Sequence, residues 1–110
     1  MQATDVPSGV LSFVLGSDGS GSHDLILPGG GAVNPPSHEN LDAGLHSVKM
    51  NGQAVFKFAT RVLGRALREA LKKAGVEAED IDLFIPHQAN IRIIESARKD
   101  LKIDQEKVFT

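Results

Sequence analysis

The sequence predicts an α/β fold, and three stretches carry that expectation. Apolar residues recur with helical period from about Asn51 to Ala74. A short apolar run, Ile81 to Ile85, stops at Pro86 and reads as a buried strand. An amphipathic segment opens at Asn90 and carries Ile91, Ile94, Ala97 and Leu101.

In chain order, Val10 to Leu15 is rich in Val, Leu and Phe and reads as a strand. The turn cluster Ser17-Asp18-Gly19-Ser20-Gly21-Ser22 follows, and Asp24 to Leu27 reads as the returning strand of a hairpin. Pro28 to Asn40 is a loop; its glycine triplet, Gly29 to Gly31, lacks the strand–glycine–helix context and the lysine of a phosphate loop. Leu41 to Met50 is short and mixed.

Asn51 is the N-cap expected of the long helix, whose apolar face comprises Val55, Phe58, Ala59, Val62, Leu63, Ala66, Leu67, Ala70 and Leu71. Lys72 and Lys73 suit the negative end of the helix dipole, and Gly75 suits the left-handed position past it. Lys57, Arg61, Arg65, Arg68 and Lys72 form a basic stripe roughly opposite the apolar face. That stripe fits either a solvated face or a docking strip for an acidic partner. In the second helix, from about Asn90 to Leu101, Glu95 and Lys99 are placed as an i,i+4 pair. Asp104 is placed to cap a last turn, and Val108-Phe109 looks like the start of a further strand.

With 110 residues, 41% of them hydrophobic and 24% charged, the chain suits one domain with a real core. A net charge of −2 gives no overall nucleic-acid footprint, and no apolar run approaches the length of a membrane helix. Met1 to Asp5 has neither a basic flank nor a hydrophobic signal region, so a cytoplasmic location is the expectation. Cysteine is absent, which excludes disulfides, thiolate metal sites and a cysteine nucleophile from this chain. The four histidines, His23, His38, His46 and His87, show no helical pairing, so no metal site is expected.

His87 is the residue the chain is organised around. A lone histidine is by default a hydrogen-bonded structural residue. Its place between an apolar run and a helix start argues otherwise, because open α/β sheets put their chemistry at strand ends. Pro86-His87-Gln88-Ala89-Asn90, followed by Ile91-Arg92-Ile93-Ile94, resembles the histidine motif of the β-ketoacyl-acyl-carrier-protein synthase III family. Met50-Asn51-Gly52-Gln53-Ala54-Val55-Phe56-Lys57 resembles a second block of that family, at the fitting interval.

The resemblance implies part of a thiolase-like layered fold, a mixed sheet packed against helices, with residues 1–110 forming a partial C-terminal domain. It implies an acyltransferase that initiates fatty-acid synthesis. An acyl group, typically acetyl, passes from coenzyme A to a cysteine. Malonyl-acyl-carrier protein then loses carbon dioxide, and its carbanion attacks the acyl thioester. The substrates are acyl-CoA and malonyl-carrier protein, with no cofactor and no metal, and complete members form homodimers. No nucleic acid and no membrane enter as partners.

Residue by residue, the resemblance implies that His87 is catalytic, a neutral donor to the thioester oxygen. It places Met50, Gly52, Gln53, Phe56, Ala89, Asn90 and Ile93 near the pantetheine tunnel. It places Lys57 and Arg92 at positions that dock the acidic carrier protein, with Arg61 and Arg65 of the stripe as further candidates. Asn90 also has a plain reading as a helix N-cap, and Phe56 one as core. The family's cysteine is missing here, and its second donor, an asparagine in a G-N-T/S motif, lies beyond Thr110. The chain alone is therefore expected to be inactive, and its sheet edges and helix faces to be left uncovered. The alternatives are a catalytically inactive carrier-binding module, another thiolase-like synthase such as a polyketide starter or hydroxymethylglutaryl-CoA synthase, and a structural α/β domain.

Overall fold

A computed structural model describes residues 8–110. The leader reading of Met1 to Asp5 lies outside the described residues. Two compact units emerge. One comprises Ser17–Ala59; the other comprises the described residues up to Gly16 together with Thr60–Thr110.

The Ser17–Ala59 unit holds a two-stranded antiparallel ladder of β1 (Leu25–Ile26) and β2 (Lys49–Met50), in the register Leu25 to Met50 and Ile26 to Lys49. The expected hairpin between Val10–Leu15 and Asp24–Leu27 does not form. β1 takes Lys49–Met50 as its partner, and the ladder is extended by the Asn51 N–H donating to the Asp24 carbonyl at 2.7 Å. Turn chemistry at residues 17–22 was real, but a turn does not specify the strand on its far side.

A short helix, α1 (His38–Asp42), straddles the end of the expected loop, Pro28–Asn40, and the start of the mixed stretch after it. Ser37 caps it, accepting from the Asn40 N–H at 3.1 Å. The Gly29 and Gly30 N–H groups donate to the carbonyls of Leu45 and Asn34, at 2.8 and 2.9 Å. These amides are committed to the loop itself, which agrees with rejecting a phosphate cradle there.

The long helix, α2 (Gly52–Ala74), begins in this unit and continues into the other. Asn51 is its N-cap, with Oδ1 accepting from the Ala54 N–H at 3.3 Å and Nδ2 donating to Asp24 Oδ1 at 3.0 Å. At the other end Gly75 has φ +67°, and the Val76 N–H donates to the Leu71 carbonyl at 3.2 Å. That left-handed closure requires a residue without a Cβ penalty, as the sequence indicated.

In the unit containing Thr60–Thr110, the C-terminal part of α2 and the helix α3 (Ile91–Leu101) flank a small core. Phe84, Leu101 and Ile103 form its centre, with Leu67, Leu71, Ile81 and Val108 packed around them. Ile94 and Ala97 are buried on the same helical face as Leu101, three and four residues apart. α3 ends in a Schellman closure, with Lys102 at φ 57° and the Ile103 N–H donating to the Arg98 carbonyl at 3.0 Å.

The buried strand expected over Ile81–Ile85 is reduced to a single parallel bridge between Phe84 and Val108. Only Phe84 of that run is fully buried, Ile81 is half-buried, and Leu83 and Ile85 are 56% and 66% exposed. Strand side chains alternate, so one face meets the core while the other stays largely exposed. Leu11–Leu15 shows the same alternation: Leu11, Phe13 and Leu15 are exposed, while Ser12 and Val14 are half-buried; Val10, before it, is exposed as well. Ser12 Oγ donates to the Ala70 carbonyl at 2.7 Å, but the segment has no strand partner among the described residues and forms no strand. The expected start of a strand at Val108 is present as the partner of Phe84. Asp104 precedes a turn of 3-10 helix, Gln105–Lys107, without a side-chain cap.

Candidate functional site

The Phe84–Val108 bridge fixes where residues 86–90 begin. Phe84 donates its N–H to the Lys107 carbonyl at 2.7 Å and accepts at its own carbonyl from the Phe109 N–H at 2.9 Å. Pro86, two residues on and buried, ends the ladder because it has no N–H to donate. His87 follows, exposed, on the non-helical turn between that bridge and α3.

The other end of the turn is set by Asn90. It takes an extended conformation, φ −158° and ψ 115°, and its Oδ1 accepts from the Arg92 N–H at 2.9 Å. The plain reading of Asn90 as N-cap is therefore realised, and its side-chain oxygen is engaged there. Ala89 and Arg92 are exposed and Ile93 is half-buried on the first turn of α3.

The structure thus brings His87, Ala89, Asn90, Arg92 and Ile93 onto one continuous turn and helix start. Met50, Gly52, Gln53, Phe56 and Lys57 belong to the other unit, at the end of β2 and in the first turns of α2. Met50 is 62% exposed, and nothing lies within 4 Å of where a Gly52 β-carbon would stand. Phe56 is half-buried, and Lys57 is exposed.

Arg61 and Arg65 are exposed on the following turns of α2. Arg68 departs from the stripe: it forms an ion pair with Asp100 of α3, a partner 32 residues away that no local pattern indicates. The expected Glu95–Lys99 pair is also replaced. Glu95 bonds Arg98, at 3.0 Å to Nη2, and that hydrogen bond together with the Arg98 charge holds the Glu95 carboxyl below its usual range. Arg98 wins because its guanidinium also donates to the Ile103 carbonyl at 3.0 Å, so one rigid fork satisfies both groups.

Sequence reasoning missed Gln88. Its Nε2 donates to the Pro86 carbonyl at 2.9 Å and to the Phe109 carbonyl at 3.0 Å. The signal was its place beside His87 in the motif; the second acceptor, 21 residues on, has no local signature.

Comparison with known proteins fits this geometry. The family model described as 3-oxoacyl-[acyl-carrier-protein (ACP)] synthase III C terminal matches residues 71–110. The β-ketoacyl-[acyl-carrier-protein] synthase III of Caldanaerobacter subterraneus subsp. tengcongensis is 50% identical over 101 residues, covering 92% of this chain and 30% of the relative. The synthase III structure from Thermus thermophilus superposes with a TM-score of 0.70 at 44% identity, over 89% of this chain and 29% of that one. The priming β-ketosynthase of the R1128 polyketide biosynthetic pathway gives a TM-score of 0.68 at 31% identity, over 86% of this chain and 28% of that one. The chain spans just under a third of the length of the curated relatives it matches. It belongs to the β-ketoacyl-acyl-carrier-protein synthase III family and carries part of that family's thiolase-like α/β fold.

Proposed function

We propose that this chain is the histidine-bearing part of a condensing enzyme that joins acyl-CoA to malonyl-acyl-carrier protein and so starts fatty-acid chains. The observation that carries the reading is the setting of His87, exposed on a short turn between the Phe84–Val108 bridge and the Asn90-capped helix. Loss of carbon dioxide from a malonyl thioester leaves negative charge on the thioester oxygen. A neutral imidazole N–H at that oxygen stabilises it. The open space at Gly52 and the exposed Met50 support a role beside a thin, flexible arm such as pantetheine. By the family resemblance Gln53 and Phe56 in the one unit, and Ala89, Ile93 and Asn90 in the other, are each assigned to contact with such an arm, Asn90 while it caps α3.

Lys57, Arg61, Arg65 and Arg92 are assigned to docking of the acidic carrier protein. Charges of this kind act mainly on encounter rate and salt dependence. The acting enzyme is a cytoplasmic homodimer in this reading, and the 110-residue chain alone is inactive.

The test is malonyl decarboxylation by a full-length synthase carrying this segment. His87→Ala is expected to lower the rate by about 100- to 1,000-fold, the effect of losing one oxyanion donor. A His87→Ala enzyme that still releases carbon dioxide at the original rate defeats the assignment. The polyketide starter reading is the second candidate, supported by the likeness to the R1128 priming enzyme; it shares the condensation and differs in the acyl group. Competition between acetyl-CoA and longer acyl-CoA substrates separates the two.

A further inference from the structure

His87 is exposed, and among the described residues its imidazole makes no hydrogen bond or ion pair. Its position is therefore set by the backbone around it. On one side the buried Pro86 restricts that backbone through its ring. On the other side lies Gln88, whose carboxamide donates to the Pro86 carbonyl at 2.9 Å and to the Phe109 carbonyl at 3.0 Å. Two carbonyl acceptors need two hydrogens, and only the NH2 end of the carboxamide has them, so chemistry settles its orientation.

The two acceptors differ in what they belong to. The Pro86 carbonyl is part of the peptide that joins Pro86 to His87. The Phe109 carbonyl belongs to the segment that runs parallel to Phe84, where the Phe109 N–H donates to the Phe84 carbonyl at 2.9 Å. One side chain thus ties the peptide plane ahead of His87 to the neighbouring strand segment. Without it, the turn from 86 to 90 would be held only at its ends, by Pro86 and by the Asn90 cap.

We propose that Gln88 is the positioning residue of His87. It locks the 86–87 peptide plane against the 107–109 segment, so that the imidazole is presented in one place. The inference rests on the reading of His87 as the oxyanion donor. Such a donor works only if it is held near 3 Å from where charge develops, before the reaction begins.

Three variants of a full-length synthase carrying this segment test it. Gln88→Met keeps the length and removes both donors. Gln88→Glu keeps the shape but sets a carboxylate against two carbonyls. Gln88→Asn keeps the NH2 group on a stem one methylene shorter. The expected result is a fall in kcat for malonyl decarboxylation of about 10- to 100-fold in Gln88→Met and Gln88→Glu, the scale of a small misplacement of a catalytic group. KM for the malonyl substrate should stay within about twofold, because a transition-state interaction is lost rather than uniform binding. Gln88→Asn should fall between these variants and the parent.

A second readout is NMR relaxation of the His87 ring in the 110-residue chain, where Gln88→Met should raise ring mobility. An unchanged kcat and unchanged ring order in Gln88→Met, beside an inactive His87→Ala, overturn the inference and leave the function standing. If His87→Ala is itself fully active, the function reading fails, and ring order alone then decides whether Gln88 positions His87. Should Gln88→Met melt below the assay temperature, Gln88→Asn decides: wild-type kcat in that variant overturns the inference.

Discussion

A β-carbon on Gly64, in the middle of α2, would stand 2.6 Å from the Asp100 Oδ2 of α3. The same carboxylate pairs with Arg68, one turn further along α2. Glycine inside a helix costs stability relative to alanine, so its presence here needs a packing reason, and the approach of Asp100 supplies one.

Gly64→Ala should therefore be close to neutral. The helix gains about 1 kcal/mol of propensity, while the Asp100 carboxylate is pushed out of its place. The more telling quantity is the Arg68–Asp100 coupling, expected at about 0.2–1 kcal/mol for a half-exposed pair. A double-mutant cycle should find it in the parent and find it reduced toward zero in the Gly64→Ala background. Coupling of undiminished size would show that the carboxylate does not need the space above Gly64.

Lys102 closes α3 in the left-handed region, at φ 57°, where glycine is favoured. Lys102→Gly should raise stability by about 1 kcal/mol, or about 5 °C in the melting midpoint. Gly75→Ala, at the corresponding place after α2 with φ +67°, should lower it by a similar amount, about 1 kcal/mol. Thermal unfolding of both variants checks the pair; equal shifts of the same sign would contradict it.

Ile103 is 2% exposed at the centre of the core beside Phe84 and Leu101. Ile103→Ala should cost about 2–5 kcal/mol, the transfer and cavity terms together. The same substitution at Ile85, which is 66% exposed, should change the stability of this chain by about 0.5 kcal/mol or less. Denaturant midpoints measure the contrast directly.

The Glu95–Arg98 pair makes a pH prediction. The hydrogen bond from Arg98, with its charge, depresses the Glu95 carboxyl in the folded chain. A depressed folded value means that the pair's contribution is fully present above the ordinary carboxylate range and is lost as pH falls through the folded value. Unfolding midpoints of the parent and Glu95→Gln should therefore differ most at neutral pH and converge in acid. A constant difference across the range would rule the pair out as the cause.

Asn90 offers a way to separate its two roles. Asn90→Ser keeps an N-cap oxygen and should hold stability within about 0.5 kcal/mol of the parent, while Asn90→Ala should lose about 1 kcal/mol. If Asn90 also borders the pantetheine arm, Asn90→Ser should still raise KM for the acyl-CoA substrate in a full-length synthase. Wild-type KM in that variant would leave Asn90 with the cap alone.

The sequence by itself determined the elements whose signals are local. Asn51 and Asn90 sit at helix starts, Gly75 at a helix end, and the Val62–Leu71 and Ile94–Leu101 periods on the faces that pack. Caps and helical periods are decided within a few residues, so each is written where it acts. The histidine motif and its helix start were legible for the same reason.

Only the tertiary structure decided what joins residues far apart in the chain. It gave β1 to Lys49–Met50 instead of Val10–Leu15, and Phe84 to Val108. It gave Arg68 to Asp100, 32 residues on, and Gln88 to Phe109, 21 residues on. It also left Leu83 and Ile85 exposed where an apolar run suggested burial. Strand partners, ion pairs and burial depend on which surfaces meet, and that is settled by packing rather than by neighbours in sequence.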